Sequence, residues 1–286
     1  MLIRFLYTSD LYVDRDHLGR LVKVARATKP DLVVMGGSVL PDDSALTPDK
    51  MGFEQPTFVR DQFKVFAQRI RQTPGSPQVF VLHGNRDWGS SVTAMQELVA
   101  LKEVSVLSLA TPLKEKGLSF VGYPFTPPTD GFVKDHERLD RKGDKPPFMG
   151  GGRWDPRFSR VATHGAPVIF AKNPSMEEEL AKLIAPTGPW VFVTPAPPFG
   201  TALDLRHSGK HGGSHAIRGA IERTQPLLSL HGHVIESPKS GGDIHDRIGQ
   251  TTCVNFGQTF GVLQYGIIEI DSAARSIKSI TPGQER

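Results

Sequence analysis

The sequence has one cysteine, Cys253, so no internal disulfide can form and the cytoplasm is the expected compartment. It has no apolar run near the roughly 18 residues that a membrane helix needs. Its apolar stretches, such as Leu32 to Met35 and Val79 to Leu82, are strand-sized. The opening MLIRFLYTSD lacks a long apolar centre and a small-residue cleavage site, so no signal peptide is expected. Long blocks of like charge are missing, and a formal net charge of +4 is mild for 286 residues. That balance permits an anionic ligand without demanding nucleic acid. Internal repeats, low-complexity tracts, a P-loop and a dinucleotide fingerprint are all absent. There is no Gly-x-Ser-x-Gly elbow, and Cys253 lies inside a strand-like run, so nucleophilic catalysis has no support.

What is present is a globular composition, 38% apolar and 22% charged, in a chain long enough for a sizeable core. The first half alternates strand and helix signals. Ile3 to Tyr7 is an apolar run ending at Thr8-Ser9-Asp10. Leu18, Leu21, Val22 and Ala25 then mark one helical face, which Lys29-Pro30 ends. Leu32 to Met35 reads as a buried strand stopped by Gly36-Gly37. Val59, Phe63, Phe66, Ala67 and Ile70 form a second helical stripe, and Val79 to Leu82 a third strand. This order implies parallel strands with helices on the faces. Residues 125–160 are rich in Pro, Gly and charge without a sustained period, and are expected to form a surface excursion within a single domain spanning 1–286. Ser175 and Glu178 form a capping box before a stripe of Leu180, Leu183 and Ile184. Trp190 to Thr194 is another buried strand, Ser214 caps a helix carrying Ile217 and Ile221, and Leu227 to Leu230 is a strand ending at His231-Gly232-His233. From Thr251 to Ile280, short β-rich runs suggest antiparallel strands closing a second sheet.

Polar or sharply turning clusters follow directly on the strands: Ser9-Asp10, Gly37-Ser38, His83-Gly84-Asn85-Arg86-Asp87, Thr194-Pro195 and His231-Gly232-His233. In open α/β sheets, ligand sites lie at the carboxyl ends of strands, so these clusters point to one shared site. Helix caps and turns would account for some of them.

These clusters, in this order, resemble the motifs of the calcineurin-like metallophosphoesterases. Ser9-Asp10-Leu11-Tyr12 is similar to the opening Asp-x-His, the strand ending Gly36-Gly37-Ser38 to the one with Gly-Asp, and Gly84-Asn85-Arg86-Asp87 to Gly-Asn-His-Asp/Glu. Val193-Thr194-Pro195 resembles the strand end that carries a lone His, and Gly232-His233-Val234-Ile235 resembles Gly-His-x-His. The resemblance covers nearly the whole chain. It implies a four-layer αββα sandwich, two mixed β-sheets flanked by helices, and a pair of metal ions that share a bridging carboxylate and generate a hydroxide nucleophile.

Carried over residue by residue, the implied ligand set is incomplete. Asp10, Asn85 and His233 are retained, while Tyr12, Ser38, Pro195 and Ile235 replace a His, the bridging Asp and two further His. A phosphate-contacting His is replaced by Arg86, a permanent cation suited to phosphate or carboxylate. Arg86 either binds an anion or pairs with Asp87 or Asp10 and fills the vacated space. The expectation is a catalytically inactive or very weak relative, without cofactor, that binds an anionic ligand through Arg86 and His231, or a protein partner. The alternative is a phosphoesterase in which Arg86 and Asp87 act with one divalent metal (Mn, Fe or Zn). Such a metal would sit on the retained ligands, or on His231 or His211 with His233 and Asp10; His207, His215 and His245 further enrich this region in imidazole. Nucleic acid is a weaker candidate partner, resting on Arg138, Arg141, Lys142, Lys145, Arg153, Arg157 and Arg160 in the middle segment.

Overall fold

The computed structural model describes residues 1–42, 46–171 and 173–286. Strand β1 (Leu2–Thr8) leads through a short turn to helix α1 (His17–Thr28) and strand β2 (Leu32–Met35). α1 buries Leu18, Leu21 and Ala25 of the face the spacing marks, with Val24 in place of the expected Val22, which is half-buried, and ends where Lys29 turns into left-handed backbone before Pro30. Helices α2 (Pro48–Phe58) and α3 (Lys64–Arg71) are joined by a π-helical turn, Val59–Phe63. Pro56 lies inside α2 and has no N–H to give, and the wider turn follows it directly. β3 (Gln78–Val81), α4 (Ser90–Ala100) and β4 (Ser105–Val106) complete this half.

The second half begins with β5 (Leu113–Glu115) and β6 (Leu118–Gly122). After the middle segment come α5 (Ala166–Phe170), α6 (Met176–Leu180), β9 (Trp190–Val193), α7 (His215–Thr224) and β10 (Leu228–His231). Within the middle segment, β7 (Gly151–Asp155) pairs antiparallel with β8 (Arg160–His164). The chain closes with β11 (His245–Ile248), β12 (Thr251–Asn255), β13 (Leu263–Asp271) and β14 (Ser276–Glu285).

The strands form two mixed six-stranded sheets, ordered β14-β13-β1-β2-β3-β4 and β11-β12-β10-β9-β6-β5. Ile3, Phe5, Tyr7, Val34 and Phe80 of the first sheet meet Phe120, Val191, Leu228 and Val254 of the second in the central layer. The opposite face of the first sheet packs on α1, α3 and α4 through Leu6, Val33, Leu21, Phe63 and Met95. That of the second packs on α6 and α7 through Phe192, Leu180, Ile217 and Ile221. Strands buried on both faces read as unbroken apolar runs, which is why β2, β3 and β9 carry no polar alternation. The result is the expected four-layer αββα sandwich.

Several local expectations need correction. The tail does not close one sheet. β11 and β12 extend the second sheet, whereas β13 and β14 add antiparallel strands to the first, beside β1. The capping box at Ser175 and Glu178 forms, but α6 ends at Leu180, and Ile184 is exposed rather than part of its buried stripe. The middle segment is anchored as well as exposed. Lys134 and Glu137 form a fully buried ion pair at 2.9 Å, and Asp135 accepts hydrogen bonds from the backbone N–H groups of Gly89 and Trp154.

Candidate functional site

Asp10, Tyr12, Asn85, Arg86, His233 and Ile235 line one cleft of about 260 Å³ at the carboxyl ends of β1, β3 and β10. Three backbone positions here have left-handed φ in non-glycine residues: Asp10 at 55°, Ser38 at 52° and His233 at 60°. Such conformations are uncommon outside glycine and cluster at sites where geometry is imposed. Close approach explains the neighbouring glycines. A Cβ on Gly232 would strike the Asp10 carboxylate and the Ser9 hydroxyl, and one on Gly84 would strike the Ser38 backbone and hydroxyl.

The retained donors are bonded to one another. The backbone N–H of His233 donates to Asp10 Oδ2 at 2.9 Å. Asn85 Oδ1 accepts from the Ser38 hydroxyl at 3.3 Å and from His233 Nδ1 at 3.2 Å. Burial pushes the Asp10 carboxyl up to about 6, against the lowering effect of the His233 amide, Ser9 and Arg86. Burial also lowers His233 to about 4, with Arg206 and Arg86 adding to the effect, so its ring is neutral at pH 7. The Tyr12 phenol is pushed up to about 12, first by burial and then by Asp10.

The Arg86 guanidinium donates to Asp42 Oδ2 at 2.9 Å and lies over the Tyr12 ring, 5.3 Å from its centroid. Its partner is therefore neither Asp87 nor Asp10. Asp87 is fully buried and turned into the fold, where its carboxylate accepts from the backbone N–H groups of Gly84, Leu40 and Val39 and ties the loop after β3 to that after β2. His231 is likewise buried behind the cleft, its Nδ1 within 3.0 Å of Thr194 Oγ1 and of the Ala196 carbonyl. Neither residue lines the cleft. Ser38 and Pro195 lie buried beneath it.

Sequence reasoning missed the rest of the lining. Thr129, Asp130 and Gly131 reach in from the middle segment, Arg206 from the loop before α7, and Glu236 from the turn after β10. None sits in a periodic element or a motif, so nothing in the sequence marked them. Among the described residues no three His, Cys, Asp or Glu side chains group as a metal site. His211 instead contacts Asp204 at 2.7 Å, and His215 stacks on Phe199. Four of the basic residues of the middle segment have partners nearby in the chain, although Arg141 and Arg157 remain exposed. Arg138 stacks on Phe125, Arg141 pairs with Asp144, Arg157 with Asp155, and Arg153 donates to the Lys134 carbonyl.

Against this geometry stands a family profile described as calcineurin-like phosphoesterase, which matches residues 3–237. The chain belongs to the calcineurin-like phosphoesterase family. Of the solved structures similar to this phosphoesterase-family chain, one crystal structure aligns over all of both chains at 18% identity and a TM-score of 0.63. The protein TT1561 of Thermus thermophilus does so at 16% identity and 0.57. Likenesses at these identities speak to the fold. No curated protein sequence matches the chain. No helix among the described residues is long and apolar enough to cross a membrane.

Proposed function

We propose that this member of the family has given up two-metal hydrolysis and uses the cleft to bind an anionic ligand that also carries hydrogen-bond donors. The observation that carries this reading is the donor chemistry at the strand ends. Two dications need several anionic or imidazole donors and a bridging carboxylate. At the bridging position stands Ser38, whose hydroxyl is engaged by Asn85. Pro195 and Ile235 offer no ligand atom, and ionising Tyr12 near neutral pH is opposed by its raised value of about 12. Arg86 and Arg206 bring guanidinium donors to the same cleft, suited to hold an anionic group. This donor set does not fit a two-metal centre.

The lining also bears Asp10, Asp130 and Glu236. A bare anion would be repelled by these carboxylates, whereas hydroxyl or ammonium groups on the same ligand would find acceptors there. A phosphate monoester of a polyol or amine has both halves. The lone, buried Cys253 fits a cytoplasmic setting, which is part of this reading. The test is calorimetric titration with inorganic phosphate and with β-glycerophosphate. Tighter binding of the ester, lost in Arg86→Ala, supports the reading; binding of neither, or binding indifferent to Arg86→Ala, contradicts it.

A second reading has its own observation. Asp10, Asn85 and His233 converge on one hydrogen-bonded network in the cleft, so a single metal on these three with Arg86 as electrophile would give a phosphoesterase of altered mechanism. Metal-dependent turnover abolished by Asp10→Ala would favour it.

A further inference from the structure

We propose that the cavity between α4 and the middle segment is a second ligand site, taking a small, neutral, planar aromatic molecule that carries a hydrogen-bond donor. The cavity holds about 520 Å³, twice the cleft, within the range of small-molecule sites. Its walls are mainly apolar, formed by residues such as Val92, Leu107, Leu109 and Phe125. Polar groups enter at few points, and two of them are imidazoles. His83 and His136 stack in parallel, 5.2 Å between centroids and 11° between planes, and present a flat wall.

His83 is 5% exposed; among the described residues neither of its ring nitrogens meets a hydrogen-bonding partner, and both face away from solvent, so it serves as wall and not as acceptor. A buried polar group without a partner is costly and rare in a folded protein. His136 is already fixed, with Nδ1–H donating to the Asp87 carbonyl at 2.8 Å, so Nε2 is the nitrogen left over. A flat apolar molecule lying along the ring edges, with an N–H or O–H, would supply the donor that the in-plane lone pair of His136 Nε2 lacks. The lining carries one carboxylate, Glu179, and one ammonium, Lys182, and so no net charge that would select a charged ligand. The Glu179 carboxylate is held there by the Tyr123 hydroxyl at 2.6 Å. The site is independent of the cleft, since the two share no lining residue.

Indole and 1-methylindole are suitable probes, equal in shape but for the N–H and its methyl. Titration of the full chain, read by the imidazole NMR signals of His83 and His136, should give saturable indole binding with a Kd of about 1 mM or tighter. 1-Methylindole should bind about 10-fold more weakly or worse. His136→Phe should erase that difference. Gln96→Trp, at an exposed position of α4 that lines the cavity, should abolish binding of both while leaving circular dichroism unchanged. No saturable indole binding, equal affinity for the two probes, or binding that survives Gln96→Trp would overturn the proposal. If His136→Phe fails to fold, the probe pair and Gln96→Trp still decide it.

Discussion

Arg86 Nη1 lies 2.9 Å from Oδ2 of Asp42, a partner from the loop after β2 and not its own neighbour Asp87. Asp42 therefore competes with any anion that enters the cleft. Arg86 keeps 37% of its side chain exposed, so the pair is partly screened and is displaced at modest cost. Asp42→Asn should tighten binding of β-glycerophosphate by about 3- to 10-fold, and Arg86→Ala should weaken it by about 10-fold or more. Calorimetry checks both. Weaker binding in Asp42→Asn would mean that the carboxylate orients Arg86 and does not block it.

Restoring the missing donors should restore metal binding only when they act together. The combination Tyr12→His, Ser38→Asp, Arg86→His, Pro195→His and Ile235→His should take up about two equivalents of manganese by elemental analysis. Ser38→Asp alone should take up none. It should also lower stability by about 1–3 kcal/mol in urea unfolding, because Ser38 is fully buried and a lone carboxylate there has no cation to face. The backbone is not the obstacle, since Asp tolerates the φ of 52° found at this position.

Stability on the acid side should follow the buried groups. Burial holds His231 at about 3 and His233 at about 4, against roughly 6.5 when unfolded. These lowered values add stability above about pH 6.5 that is lost as pH falls toward 4. Asp87, raised by burial to about 7, works the other way: its contribution is full below about pH 4 and lost as pH rises through 7. Urea midpoints between about pH 7 and 4.5 should therefore fall less steeply in His231→Gln, by up to about 1.4 kcal/mol per pH unit. The same decline should steepen in Asp87→Asn. Slopes that move together would show that one of these groups is charged in the native state.

Gly232→Ala and Gly84→Ala should each cost about 2–4 kcal/mol, since the added methyl meets Asp10 and Ser9 in one case and Ser38 in the other. Chemical denaturation measures the loss, and Gly219→Ala, where nothing lies nearby, is the control. At that helical position the change should instead be stabilising.

The helices and strands with clean periodicity were legible in the sequence. So was the convergence of Asp10, Asn85, Arg86 and His233, because each ends a buried strand. The helix Pro48–Phe58 was not, since Pro48, Gly52 and Pro56 read as breakers and its apolar face is weak. Pro48 sits at the first helical turn, where its missing N–H does no harm. Which sheet the tail joins was also hidden, because β13 pairs with β1 across more than 250 residues and strand periodicity says nothing of the partner. In the site, Asp87 and His231 looked available because motif position does not report side-chain direction. Asp42, Asp130, Arg206 and Glu236 were invisible because loops brought them in.

Elemental analysis of the protein purified from manganese-supplemented culture, followed by hydrolysis of p-nitrophenyl phosphate and its diester with added manganese, bears most directly on the function proposed. The expected result is no stoichiometric metal and no turnover above that of Asp10→Ala. About two equivalents of metal, with turnover that Asp10→Ala abolishes, would contradict it and mean that other residues have rebuilt the centre.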